Sequence, residues 1–468
     1  MDTIFKGNPL QRARDAMTGE ADEAAGAAPA MTVARALPVP LAPIAGGVGN
    51  ALTLVAKIKP KHRDDLAKVL AGYGGDITGC QEIVFGQLRT VHFLRWVIID
   101  TVSDGGAGTL VLESNHDGSF AAHVDDLLRA GARGLHAIYR HCVGYPVGGA
   151  ALTPADFPAF KRYLEQQQTT YGAFHVGAHG KSAEQIRVEA EVRAAIESFL
   201  DRRRFAADWP PAPARLYDEI RAHVIERGLF ARFHDEGGFA PRVRLVPFIV
   251  GLLAYAVRQL PLLPLLPWAV FALRHKERTD VPARYDTDPD GVHALAAQED
   301  VLTQNQLTHY VPIKPGRLRR WLLRTVLRFI DLTARFRQNQ GQLGGISTIH
   351  FARWVIVDEG RQLLFFSNYD GSWENYLGDF IDKAALGLTG IWSNSEGFPA
   401  THWLAWGGAT DEGRFKAWTR AHQVKTPLWY SAYPDLTVRN VLENQAICRG
   451  LLQRPADADA LGRWLQFF

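Results

Sequence analysis

The sequence predicts an α+β fold made by duplication, in which two copies of one β-α-β-β-α unit are joined by a helical insertion. Three observations carry this reading. The block Thr90-Val-His-Phe-Leu-Arg-Trp-Val-Ile-Ile-Asp100 recurs as Thr348-Ile-His-Phe-Ala-Arg-Trp-Val-Ile-Val-Asp358. Ser114-Asn-His-Asp-Gly-Ser119 recurs as Ser367-Asn-Tyr-Asp-Gly-Ser372, and Asp104-Gly-Gly-Ala-Gly108 explains why the spacing between copies shortens there. Ile58-Lys-Pro60 precedes the first pair of blocks and Gly144-Tyr-Pro146 follows it, as Ile313-Lys-Pro315 and Gly397-Phe-Pro399 do the second. Matches in one order along the chain mark a repeat.

Hydrophobic periodicity places the elements of each copy. In the first copy it predicts a strand over 52–58, a helix over 63–72, strands over 90–100 and 109–113, and a helix over 120–139. The second copy repeats this at 307–313, 318–337, 348–358, 362–366 and 373–392. Strand alternation puts Ile349, Phe351, Arg353, Val355 and Val357 on one face and His350, Ala352, Trp354 and Ile356 on the other. A strand apolar on both faces is covered on both sides. The element order fits a ferredoxin-like unit, and tandem ferredoxin-like repeats can pair their sheets as a pseudo-symmetric α/β barrel. The organisation expected is a disordered tail over 1–48, a repeat over 49–149, a helical linker over 150–300, a second repeat over 301–400 and an aromatic-rich extension over 401–468.

Composition narrows the class. An apolar fraction of 47%, a charged fraction of 22% and a net charge of +3 over 468 residues describe a globular chain with no basic stripe, which speaks against nucleic acid as a partner. The runs Arg202-Arg203-Arg204 and Arg317 to Arg320 read as solvated helix faces. Cys80, Cys142 and Cys448 supply neither a metal pair nor a disulfide framework, and with no signal pattern at the N-terminus the expected location is cytoplasmic.

Within the linker, a helix capped at Ser182 is followed by a Pro-rich joint, Trp209-Pro-Pro-Ala-Pro213, and by two apolar blocks within 246–273 separated by Arg258-Gln259. Each block is shorter than the roughly 20 residues that span a bilayer. The segment either lies as a peripheral contact in the membrane interface, with Arg244, Arg258, Arg274 and Lys276 at the head groups, or caps the core. In the extension, Trp403, Trp406, Trp418, Trp429, Tyr430 and Tyr433 either complete a core or wall a pocket for an apolar, lipid-like small molecule.

Arg95 and Arg353 each interrupt an apolar strand face, so each guanidinium requires an anionic partner: Asp117 or Asp370 within the fold, or a carboxylate of a ligand. His92 and His350 read as hydrogen-bonded packing residues. His309, His136, His123 and His141 occur in one copy only and are candidate metal or haem ligands, His309 and His136 foremost. No HExxH, GxSxG or dinucleotide fingerprint occurs, and Gly180-Lys-Ser182 lacks the earlier glycine of a phosphate loop.

The duplicated plan, with its Asp-Gly turn and buried Arg, resembles the dye-decolorising haem peroxidases. That resemblance implies haem as cofactor and a catalytic set of Asp370, Arg353 and Asn368, with Asp370 as acid/base and Arg353 as charge stabiliser. Ser367 stands where the family's motif begins with Gly, and no proximal His is placed by motif. The implied function is a haem-peroxidase-like oxidoreductase acting on an apolar substrate near a membrane surface. The alternative is a haem-free, membrane-associated lipid-binding or lipid-modifying protein.

Overall fold

The computed structural model describes residues 47–101, 106–233, 241–283, 285, 289–336 and 342–468. The tail expected over 1–48 lies almost wholly outside the described residues. The strands are β1 (Asn50–Lys57), β2 (Val91–Ile99), β3 (Thr109–His116), β4 (Ala173–Val176), β5 (Gln304–Pro312), β6 (Ile349–Val357), β7 (Gln362–Asp370), a small hairpin of β8 (Thr401–His402) and β9 (Trp406–Gly407), and β10 (Leu428–Ser431). The α-helices are α1 (Arg63–Gly75), α2 (Phe120–Tyr139), α3 (Phe157–Gln166), α4 (Ala183–Arg203), α5 (Pro213–Glu226), α6 (Pro241–Gln259), α7 (Leu266–Thr279), α8 (Pro289–Ala296), α9 (Arg317–Phe336), α10 (Trp373–Trp392), α11 (Glu412–Ala421), α12 (Val438–Leu452) and α13 (Ala458–Leu465).

The fold is α+β, with two four-stranded antiparallel sheets in the orders β1-β3-β2-β10 and β4-β6-β7-β5. Strand pairing among the described residues closes no barrel, against the expectation. Each sheet instead ends in two edges, and the two sheets pack face to face. Val97, Ile99 and Val111 of one meet Tyr310, Val355, Val357, Leu364 and Phe366 of the other. On the outer faces, Leu54, Leu94, Trp96 and Leu112 pack under α1 and α2, and Val311, Trp354, Leu363 and Phe365 under α9 and α10.

One edge strand of each sheet arises outside the expected repeats. β4, from the middle segment, pairs with β6 of the second copy, and β10, from the extension, pairs with β2 of the first. Phe174 stands opposite Arg353 as Trp429 stands opposite Arg95. Each of these two strands is preceded by a helix (α3, α11) that packs on the core of its own half and is followed by another (α4, α12), so each half lends the other an arm whose strand joins the other's sheet.

Ser119, Ser182 and Ser372 cap α2, α4 and α10, their hydroxyls accepting from the backbone N–H groups of Ala122, Gln185 and Asn375. β3 and β7 run further than expected, through Ser-Asn, where the Ser114 and Ser367 carbonyls and the Asn115 and Asn368 side-chain oxygens accept from buried arginines. In β2 and β6 the pairing slips at His92 and His350: Val91 and Phe93 oppose His116 and Asn115, and Ile349 and Phe351 oppose Tyr369 and Asn368. These β-bulges turn each His toward the gap between the sheets, onto the side of the Arg, where strict alternation puts it on the other.

Candidate functional site

Between the sheets, Arg95 and Arg353 cross over, each entering the opposite half. Arg95 Nη1 donates to the Leu307 carbonyl (2.9 Å), Gln306 Oε1 (3.0 Å) and Thr308 Oγ1 (3.1 Å), and Nη2 to the Ser367 carbonyl (2.9 Å) and Asn368 Oδ1 (2.5 Å). Arg353 Nη1 donates to the Leu52 carbonyl (2.7 Å) and Thr53 Oγ1 (3.2 Å), and Nη2 to the Ser114 carbonyl (2.7 Å) and Asn115 Oδ1. Neither pairs with Asp117 or Asp370. Their shared counter-ion is Glu113, with Oε2 2.9 Å from Arg95 Nε and Oε1 2.8 Å from Arg353 Nη2. Burial pulls both guanidinium pKa values down and Glu113 opposes that shift. The second copy has Phe366 where the first has Glu113, and Arg95 lies 5.5 Å from that ring. Two buried cations thus share one carboxylate.

The expected catalytic set does not assemble. Asn368 serves Arg95 and the Trp429 indole (2.9 Å), while Arg353 sits on Asn115. Asp370 accepts from His350 Nε2 (2.7 Å) and from the Val438 backbone N–H at the start of α12 (2.8 Å). Asp117 does the same in the first copy, with His92 Nε2 at 2.9 Å and the Ala183 N–H of α4 at 2.8 Å, and adds the Gly49 N–H at 3.0 Å. Tyr433 bonds His92 Nδ1 at 2.8 Å. Burial pushes the Asp117 carboxyl up, but His92 and the two N–H donors hold it below its usual range. Both carboxylates therefore clamp an exchanged arm by its helix N-terminus. Asp117→Asn and Asp370→Asn are expected to lower stability by similar amounts, on the order of 1–3 kcal/mol each. Urea denaturation at neutral pH measures both, and a loss confined to one copy contradicts the equivalence.

The single-copy histidines, the candidate haem ligands, do not gather around a space for a macrocycle. His309 lies on the helix-facing side of its sheet, with Trp392 and Trp418 at centroid distances of 5.0 and 4.7 Å, beside a cavity of about 10 Å³. That is barely the space of one water. His136 bonds Tyr145 Oη at 2.8 Å in the other half. His123 is stacked on His116 at 4.1 Å, and His141 bonds His62 at 3.0 Å. Among the described residues no three His, Cys, Asp or Glu side chains gather as a metal site. The aromatic extension fills core: Trp418 lies in the second outer core, Trp429 stacks on Phe93, and Tyr433 packs between the sheets. Trp403 and Trp406 are the exposed exceptions.

What remains unpaired is the apolar segment. Leu245–Thr279 is helical throughout, through a 3₁₀ turn at Leu260–Leu265, and is long and apolar enough by composition to cross a membrane. Its polarity is reversed relative to a soluble helix. On α6 the face toward the protein carries Gly251, Tyr255 and Gln259: Tyr255 Oη donates to Thr325 Oγ1 (2.9 Å), and Gln259 Oε1 accepts from the Trp321 indole (3.2 Å). The opposite face presents Val246, Ile249, Val250, Leu253 and Val257, the last 62% exposed. On α7 the buried residues are Leu273 and Glu277; the Glu277 carboxylate accepts from the N–H groups of Trp403 and Leu404 (both 2.9 Å), while Trp268 (61% exposed) and Phe271 (74%) point out. Trp403 and Leu404 both take left-handed backbone (φ 58° and 59°), held by that clasp. The sequence shows the apolar runs; the reversal depends on which face α9 covers. Comparison of the chain with protein-family models, curated proteins and solved structures gives no match.

Proposed function

We propose that the chain is a peripheral membrane protein that lies in the bilayer interface through α6 and α7, carrying two ferredoxin-like halves joined by exchanged arms as its rigid body. The observation that carries this reading is the reversed polarity of α6, with hydrogen-bonding side chains inward and branched aliphatics outward. In water such a face forfeits about 1.5–3 kcal/mol for each large apolar side chain left exposed, and a continuous patch of this kind is rare on soluble monomers. Lipid removes that cost. Although Leu245–Thr279 as a whole is long enough to cross a membrane, Arg258 is exposed within it and the uncharged run on either side is not, so in this reading the helices lie along the surface. The exposed Trp268, Trp403 and Trp406 suit the head-group level, where amphipathic rings concentrate.

Flotation of the full chain with phosphatidylcholine vesicles, without detergent, tests the reading. The wild type is expected to rise with the vesicles. A Val250→Gln, Leu253→Gln, Val257→Gln variant is expected to stay below while keeping its thermal transition, because these side chains face away from the body. A wild type that remains below with the variant overturns the proposal.

A further inference from the structure

We propose that the interfacial surface carries an anion site for phospholipid head groups, formed by Arg317, Arg320 and Arg324 of α9 with Arg258 of α6; this rests on the membrane reading above. Arg317, Arg320 and Arg324 recur at helical spacing along one side of α9, and the stretch 317–330 contains no Asp or Glu. The Trp321–Gln259 hydrogen bond brings this part of α9 against the end of α6, next to Arg258. A Cβ built on Gly360 would lie 3.5 Å from Arg320 Cδ and 3.7 Å from Arg324 Nη2, so these two side chains converge over one glycine.

Their ion pairing differs from that of their neighbours. Arg328 pairs with Asp331 (3.5 Å), Arg335 with Asp331 (3.1 Å) and Arg361 with Asp358 (2.9 Å). Arg258, Arg317, Arg320 and Arg324 form no ion pair among the described residues. Arg317, Arg319 and Arg320 also occupy the first turn of α9, where the helix dipole disfavours cations. Unneutralised guanidiniums beside an outward apolar face match a bilayer in both parts: acyl chains for α6 and α7, phosphate oxygens for the arginines, which bind them in bidentate fashion. The short Arg317 to Arg320 run, read from sequence as a solvated face, takes this role from its position beside α6.

Vesicle flotation with phosphatidylcholine alone and with added phosphatidylglycerol decides the matter, using the wild type and an Arg317→Gln, Arg320→Gln, Arg324→Gln variant. The expected result is at least about tenfold tighter binding of the wild type to the anionic vesicles, weakened by salt, since each arginine near a charged surface contributes attraction. The variant is expected to bind neutral vesicles as the wild type does and to lose the preference. Equal wild-type binding to both vesicle types overturns the anion site and leaves the membrane reading standing. A preference kept in full by the variant overturns the assignment to these arginines. Binding to neither vesicle overturns both proposals.

Discussion

Replacing Glu113 by Gln is expected to destabilise the fold by about 3–5 kcal/mol, the cost of leaving a buried charge without its partner. Glu113 is 1% exposed, and the guanidiniums of Arg95 and Arg353 reach it from the two halves. The glutamine amide would keep an acceptor oxygen but not the negative charge, so two cations would remain in the gap between the sheets with only carbonyl and amide oxygens around them. The backbone acceptors at Leu52, Leu307, Ser114 and Ser367 moderate the loss without cancelling it. Removing Arg353 together with Glu113, as a double Met variant, is expected to cost less than the two single Met changes added together, because the Arg353–Glu113 attraction is lost in each single change and Arg95 is then the one cation left without its carboxylate. Guanidinium denaturation of the four proteins gives the coupling. Additive losses would mean that the carboxylate does not hold the two halves together.

A second large effect is expected on acidification. Burial holds His123 and His175 down at about 3 and pulls His116, His309 and His422 down as well. The sign follows from linkage: between the unfolded value near 6.5 and the depressed folded value, the unfolded chain binds more protons, so stability falls as pH falls through that window. At pH 5, His123 and His175 are each expected to have lost on the order of 2 kcal/mol relative to pH 7.5. Asp117, depressed below the usual carboxylate range, adds its loss only below about pH 4.

The duplication supplies the control. The stacked pair His116–His123 occupies the place of Tyr369–Tyr376, stacked at 3.8 Å, where Tyr376 Oη donates to Ser367 Oγ at 2.6 Å. Ser114, the counterpart of Ser367, has a buried hydroxyl with no partner. His116→Tyr with His123→Tyr is therefore expected to fold, to use Ser114, and to blunt the loss between pH 7.5 and 5 by about 2 kcal/mol. An unchanged pH dependence of the urea midpoint would show that these histidines do not carry it.

Much of the fold is legible in the sequence because duplication writes each signal twice. Helix 120–139 and helix 373–392 are bounded by the same Ser cap and the same Gly-aromatic-Pro turn, and both form as read. What escapes is what depends on distant partners. The bulges at His92 and His350 insert a residue into a strand whose alternation looks unbroken, so the faces of the residues before Phe93 and Phe351 are misread. Glu113 lies at the predicted end of a strand among apolar residues, and its role emerges only once two arginines arrive from different sheets. The arms holding β4 and β10 have diverged too far for matched residues to announce them; Gln168 and Gln423, each bridged to the first strand of a half, are among the few visible signs. The site residues were the least legible, because Arg353, Asp370 and Asn368 each have a full set of structural partners in the other half or at a helix end.

Site-directed spin labelling along α6 tests the membrane account most directly. Cys80 is the one partly accessible cysteine, Cys142 and Cys448 being buried, so a Cys80→Ser background accepts labels one at a time from position 245 to 258. With vesicles present, labels at Val246, Val250, Leu253 and Val257 are expected to become accessible to oxygen and shielded from a water-soluble nickel chelate. Labels at Gly251 and Tyr255 should be shielded from both, giving a period near 3.6 residues. Chelate accessibility at the four outward positions unchanged by vesicles would contradict the account.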